Sequence, residues 1–84
     1  MDKVTYVAEL ERTIEDFMRK RDKMFSKGFL NSDGMKALVR ILKMAVRAGL
    51  IDKSSGISRY LKSREEGEVL AILLSLEERL CARS

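Results

Sequence analysis

The sequence predicts an all-α fold: a small helical bundle of three long helices plus one short helix, with apolar faces wide enough to leave it open to completion by dimerisation. Apolar residues recur at three- and four-residue steps through three long segments. Glycine, serine and asparagine fall between those segments as turn signals. No stretch sustains the apolar–polar alternation of a strand, and Asp33-Gly34 stands at a helix start, not between two β-branched runs, so no hairpin is expected. With 84 residues and no repeat or low-complexity linker, the chain reads as a single helical domain, 1–84. A core of that size buries only about 60–65% of the unfolded surface, so stability is modest and a homodimer is expected.

The first helix is placed over residues 3–26, on the stripe Val7, Leu10, Ile14, Phe17 and Met24, interrupted by Arg21. Gly28 is its expected stop. Acids in its front half and the basic run "RKRDK" in its rear half suit the helix macrodipole, which gives that run a structural explanation. The second helix starts at a cap drawn from Asn31, Ser32 or Asp33 and runs to Ala48; Gly49 and apolar Leu50 then form a Schellman-type stop. "LIDKSSG" is a turn leading into a short third helix that holds Ile57, Tyr60 and Leu61. "SREE", residues 63–66, fits a capping box, so the fourth helix is placed from Ser63, on the stripe Val69, Ile72, Leu73, Leu76 and Leu80; continuation of the third helix into the fourth is the alternative.

Charged residues make up 36% of the chain and the formal net charge is +4, a balance that favours polyanionic partners. Cys81 is the single cysteine, which excludes an internal disulfide and a cysteine-based zinc cluster and suits a reducing compartment. The N-terminal stretch is broken by charge every few residues, and no window approaches eighteen uncharged apolar residues. A cytoplasmic location with no membrane role is expected.

Catalysis is not expected. The chain has no histidine, so neither a Ser-His-Asp nor a Cys-His arrangement can form, and histidine-containing metal sites are excluded. The five glycines are scattered and form no phosphate-binding loop or dinucleotide fingerprint. Glu65 and Glu66, like Glu77 and Glu78, are adjacent on a helix and point about 100° apart, which suits solvated surface rather than a carboxylate pair. No cofactor, metal ion or small-molecule substrate is implied.

The second helix carries the functional signal. At about 100° per residue, Lys36, Arg40, Lys43 and Arg47 fall within an arc of roughly 60°, and nearly every other position is apolar. Lys36 stands near the helix N-terminus, where the macrodipole disfavours a cation. The three neighbouring pairs, 36 with 40, 40 with 43 and 43 with 47, also repel by about 0.2–0.5 kcal/mol each. Two readings follow: methylenes covering apolar neighbours with heads paired to acids of other helices, or a surface for phosphates.

"AVRAGLIDKSSGISRYLKS", residues 45–63, resembles part of a helix-turn-helix DNA-binding motif: Ala45 four before Gly49, apolar Leu50 after it, then "ISRYL" as the second helix. The resemblance covers under a quarter of the chain, and six residues separate Leu50 from Ile57 where that family usually has four. It implies a recognition helix exposing Ser58, Arg59 and Lys62, with Ser54 and Ser55, to the major groove. The leading expectation is therefore a small basic protein that binds nucleic acid, DNA more than RNA, through Lys36, Arg40, Lys43, Arg47, Ser58, Arg59 and Lys62. A helical adaptor or assembly module that homo-oligomerises, with no nucleic-acid role, is the alternative.

Overall fold

The computed structural model describes residues 3–52, 60–61 and 64–83. The chain is mostly helical, with one short hairpin: α1 (Lys3–Arg19), α2 (Arg21–Met24), β1 (Phe25–Ser26), β2 (Phe29–Leu30), α3 (Ser32–Arg47) and α4 (Glu66–Arg83). Apolar residues of α1, α3 and α4 meet in one core, formed by Leu10, Ile14 and Phe17 of α1, Leu38, Ile41, Leu42 and Ala45 of α3, and Val69, Leu73, Leu76 and Leu80 of α4. Leu30, Ala48 and Ile51 belong to the same buried cluster. Among the described residues no buried side chain is polar or charged, so burial of apolar surface holds the helices together.

The first helix does not reach residue 26. It ends at Arg19, and Lys20 leaves the helical region at φ −102°, ψ 17° before the single turn of α2. The cause is visible in the stripe: continued at 100° per residue, the helix would place Arg21 between Leu10 and Ile14 on the buried face. The break instead leaves Arg21 exposed, so no unpaired guanidinium is buried.

Gly28 is not a helix stop but the second residue of a two-residue hairpin loop. Lys27 and Gly28 both have positive φ, 54° and 83°, as a type I′ turn requires. The hairpin runs against the sequence expectation of no strands. Its pairs, Phe25 with Leu30 and Ser26 with Phe29, put two apolar side chains on one face and leave the other face to solvent. Phe25 meets Phe17 edge-on with ring centroids 6.0 Å apart, and Leu30 is buried in the core. This anchoring, together with the positive-φ loop, holds two-residue strands that would be unstable alone.

The fourth helix starts at Glu66, three residues beyond the expected Ser63, which lies outside the described residues. The chain before it is extended along the hairpin. Glu65 bridges Phe29, with the Leu30 N–H donating to the Arg64 carbonyl at 2.7 Å and the Glu66 N–H donating to the Gly28 carbonyl at 2.9 Å. The Val69 N–H then donates to the Glu65 carbonyl at 3.0 Å, so Glu65 stands at the cap. Tyr60 and Leu61 lie in a turn, and the extended residues 64 and 65 exclude one continuous helix from that turn into α4. The body of the expected short third helix, residues 53–59, lies outside the described residues.

The ends of α3 agree closely with expectation. Asn31 is the cap, accepting the Gly34 N–H at 2.8 Å. At the other end, Leu50 N–H donates to Ala45 O at 2.9 Å and Gly49 N–H to Val46 O at 3.1 Å, with Gly49 at φ 79°. That bond pattern is the Schellman stop read from "AGL".

Candidate nucleic-acid interface

Across residues 34–48 the exposed positions are Lys36, Arg40, Lys43 and Arg47, and every other residue in that span is buried or partly buried. The row is a consequence of how α3 is enclosed. Leu38, Ile41, Leu42 and Ala45 face the core, Ala37 and Met44 flank the row on one side, and Met35, Val39 and Val46 flank it on the other. Steps of four, three and four residues on a helix spread the four cations over about 16 Å in a nearly straight line. None of the four makes an ion pair or a side-chain hydrogen bond among the described residues. Beyond Ser32 and Asp33 of the exposed first turn, the row is a concentrated positive edge on an otherwise enclosed helix.

Ser58, Arg59 and Lys62, the residues offered by the helix-turn-helix resemblance, lie outside the described residues. Leu50 and Ile51 are held against the body of the protein: Ile51 is buried, and the Arg79 guanidinium donates to the Leu50 carbonyl at 2.9 Å. The start of that segment is thus tied to α4.

A second group of cations lies beyond the reach of the α1 dipole. Because α1 ends at Arg19, only that residue serves its C-terminal turn. Lys20, Arg21, Lys23 and Lys27 belong to the break, to α2 and to the hairpin loop, and all are exposed. Asn31 joins this segment to the start of α3, with its side-chain nitrogen donating to the Lys23 carbonyl at 2.7 Å and its N–H to the Met24 carbonyl at 2.9 Å. Phe29 projects from the same hairpin, 59% exposed. The sequence signal was the interleaving of Phe25 and Phe29 with lysines in "KMFSKGF".

The surface of the described residues also carries depressions. One, of about 120 Å³, lies between α1 and α4 and is lined by Val7, Glu11, Glu15, Glu77, Leu80 and Cys81. Another, of about 220 Å³, is lined by Tyr60, Ala71, Ile72, Ser75, Leu76 and Arg79. Among the described residues no group of His, Cys, Asp or Glu is arranged to hold a metal ion, and no helix is long and apolar enough to cross a membrane. No protein-family model, no curated protein and no solved structure matches the chain.

Proposed function

We propose that this is a nucleic-acid-binding protein, DNA more than RNA, that neutralises backbone phosphates with the α3 row. The observation that carries this reading is that Lys36, Arg40, Lys43 and Arg47 alone are exposed along residues 34–48, with no acid paired to them among the described residues. Contacts of this kind fix a protein on a nucleic acid without reading sequence. Ser58, Arg59 and Lys62 would add base or phosphate contacts beyond the row, as the helix-turn-helix resemblance implies. The role is binding, with no catalytic group assigned.

Titration of labelled duplex and single strands at increasing salt tests this. Four phosphate contacts to duplex give a slope of log K against log salt near −3.6, from about 0.9 per phosphate. Failure to bind more tightly than about 10⁻⁴ M at 50 mM salt would overturn it, since ordinary non-specific association is stronger.

The second reading is a helical assembly module in which a homodimer completes a bundle of the long helices and the row has no nucleic-acid role. Leu74 favours it: this side chain is 49% exposed on α4, near the partly buried Leu70 and one turn before Glu77 and Glu78. Charge reversal at Arg40 and Lys43 separates the two readings. Nucleic-acid binding collapses under the first, and an oligomer held by the apolar helix faces is untouched under the second.

A further inference from the structure

We propose that the groove between α1 and α4 seats the cationic α3 row of a second copy of this chain, so that copies add head to tail and the row is withdrawn from polyanions as the protein becomes concentrated. The occlusion half of this proposal rests on the phosphate-binding reading of the row; the docking half does not.

The groove has an apolar floor and an anionic rim. Leu80 is 5% exposed and Val7 is half-buried, and around them stand Glu11 and Glu15 from α1 and Glu77 from α4. Glu11 and Glu15 are one helical turn apart on the same face, where like charges repel, and the fold brings a third carboxylate to them from another helix. Among the described residues none of the three is paired, and no cation lines the groove. Such a surface favours side chains with long aliphatic stems and cationic heads, whose methylenes cover the floor while the heads reach the rim.

The chain carries such a set of side chains where it cannot use them itself. No residue of α3 lines the groove, so no copy satisfies its carboxylates with its own row. Between copies the spacing suits the contact: neighbouring cations of the row rise about 4.5–6 Å along the helix, and Glu11 to Glu15 rises about 6 Å. Row and groove are different surfaces, so the contact is heterologous and leaves one row and one groove free at the ends of any assembly. Polyanion and groove then compete for one surface, and each weakens the binding of the other.

Sedimentation velocity of the full chain over a range of concentrations tests the docking. In about 0.01 M salt, where the Debye length is about 30 Å, the wild-type average mass should rise to more than twice that of the monomer; in about 1 M salt, where it is about 3 Å, the protein should sediment as a monomer. The triple variant Glu11→Gln, Glu15→Gln, Glu77→Gln should remain monomeric in both. Charge reversal of the groove (Glu11→Lys, Glu15→Lys, Glu77→Lys) and of the row (Arg40→Glu, Lys43→Glu, Arg47→Glu) should each abolish assembly alone, and an equal mixture of the two should restore it. A wild type that stays monomeric in low salt, or assembly that survives groove neutralisation in the Gln variant, overturns the docking. So does a mixture of two folded reversal variants that fails to assemble. Helical circular dichroism establishes which variants are folded, and the Gln variant supplies the test if a reversal does not fold. A polyanion titration on the Gln variant separates this proposal from the one it builds on: unchanged binding in dilute protein, with affinity no longer falling as wild-type protein is concentrated, supports occlusion. Assembly without any polyanion binding leaves docking standing and overturns occlusion.

Discussion

The Asn31 side chain closes the first turn of α3 onto Gly34, its oxygen accepting the Gly34 N–H at 2.8 Å while its nitrogen donates to the Lys23 carbonyl at 2.7 Å. One residue thus caps the helix that bears the cationic row and fastens it to α2. Asn31→Ala removes both bonds and should cost about 1–2 kcal/mol, a cap plus one further hydrogen bond. Asn31→Asp keeps the acceptor and loses the donor, so it should fall between Ala and wild type. Urea unfolding of the three proteins checks that order; equal stability of the Ala and Asp variants would show that the cap itself contributes nothing.

Gly34 is held by space rather than by dihedral angle. A Cβ built there would collide with the Met24 carbonyl oxygen and lie 2.6 Å from Leu30 Cδ1. Alanine favours a helix over glycine by about 1 kcal/mol, yet here it must push backbone aside. Gly34→Ala should therefore destabilise by at least about 2 kcal/mol. In a domain of this size that lowers the melting temperature by roughly 8–16 °C, and a melting temperature at or above wild type would disprove the close approach of α2 to α3.

What could be read in advance divides along a physical line. Periodicity placed the face of α3 and the stripe of α4 because burial against one core demands it, and "AGL" placed the end of α3 because only a positive-φ residue continues there. The hairpin leaves no such pattern: its strands have two residues each, too few to show a period. Its turn is Lys-Gly, where Asn-Gly would have been the signal. The hairpin displaced the expected stop at Gly28 and the start of α4, since residues 25 and 26 and residues 64 and 65 are drawn into pairing with β2, while α1 had already ended at Arg19 ahead of Arg21. The row of the candidate site followed from the angular spacing of one helix. The α1–α4 groove did not, because Glu77 joins Glu11 and Glu15 only through tertiary packing.

The hairpin loop offers a test of its geometry from both sides. Lys27 adopts φ 54°, a conformation that asparagine tolerates better than lysine, so Lys27→Asn should stabilise the protein by a few tenths of a kcal/mol. Gly28→Ala places a Cβ at φ 83° and should cost about 1 kcal/mol although open space surrounds it. Thermal melts of the two variants should move in opposite directions. A shift in the same direction for both would be inconsistent with a type I′ turn.

The α3 row makes a further prediction that ties stability to function. Lys43 repels Arg40 three residues before it and Arg47 four residues after it, at about 0.2–0.5 kcal/mol each on an exposed helix. Lys43→Glu replaces both repulsions with attractions, and the Glu-to-Arg order at positions 43 and 47 is the favourable one for a helix. The variant should gain about 0.8–2 kcal/mol in low salt, and most of that gain should vanish near 1 M, where screening removes interactions between exposed charges. If the row is a phosphate surface, the same substitution should weaken duplex binding and lower the salt slope by about 1 to 2, since it removes one contact and adds a repulsive charge. A more stable protein that binds nucleic acid less well is the expected result. Unchanged affinity with raised stability would overturn the phosphate-binding reading of the row.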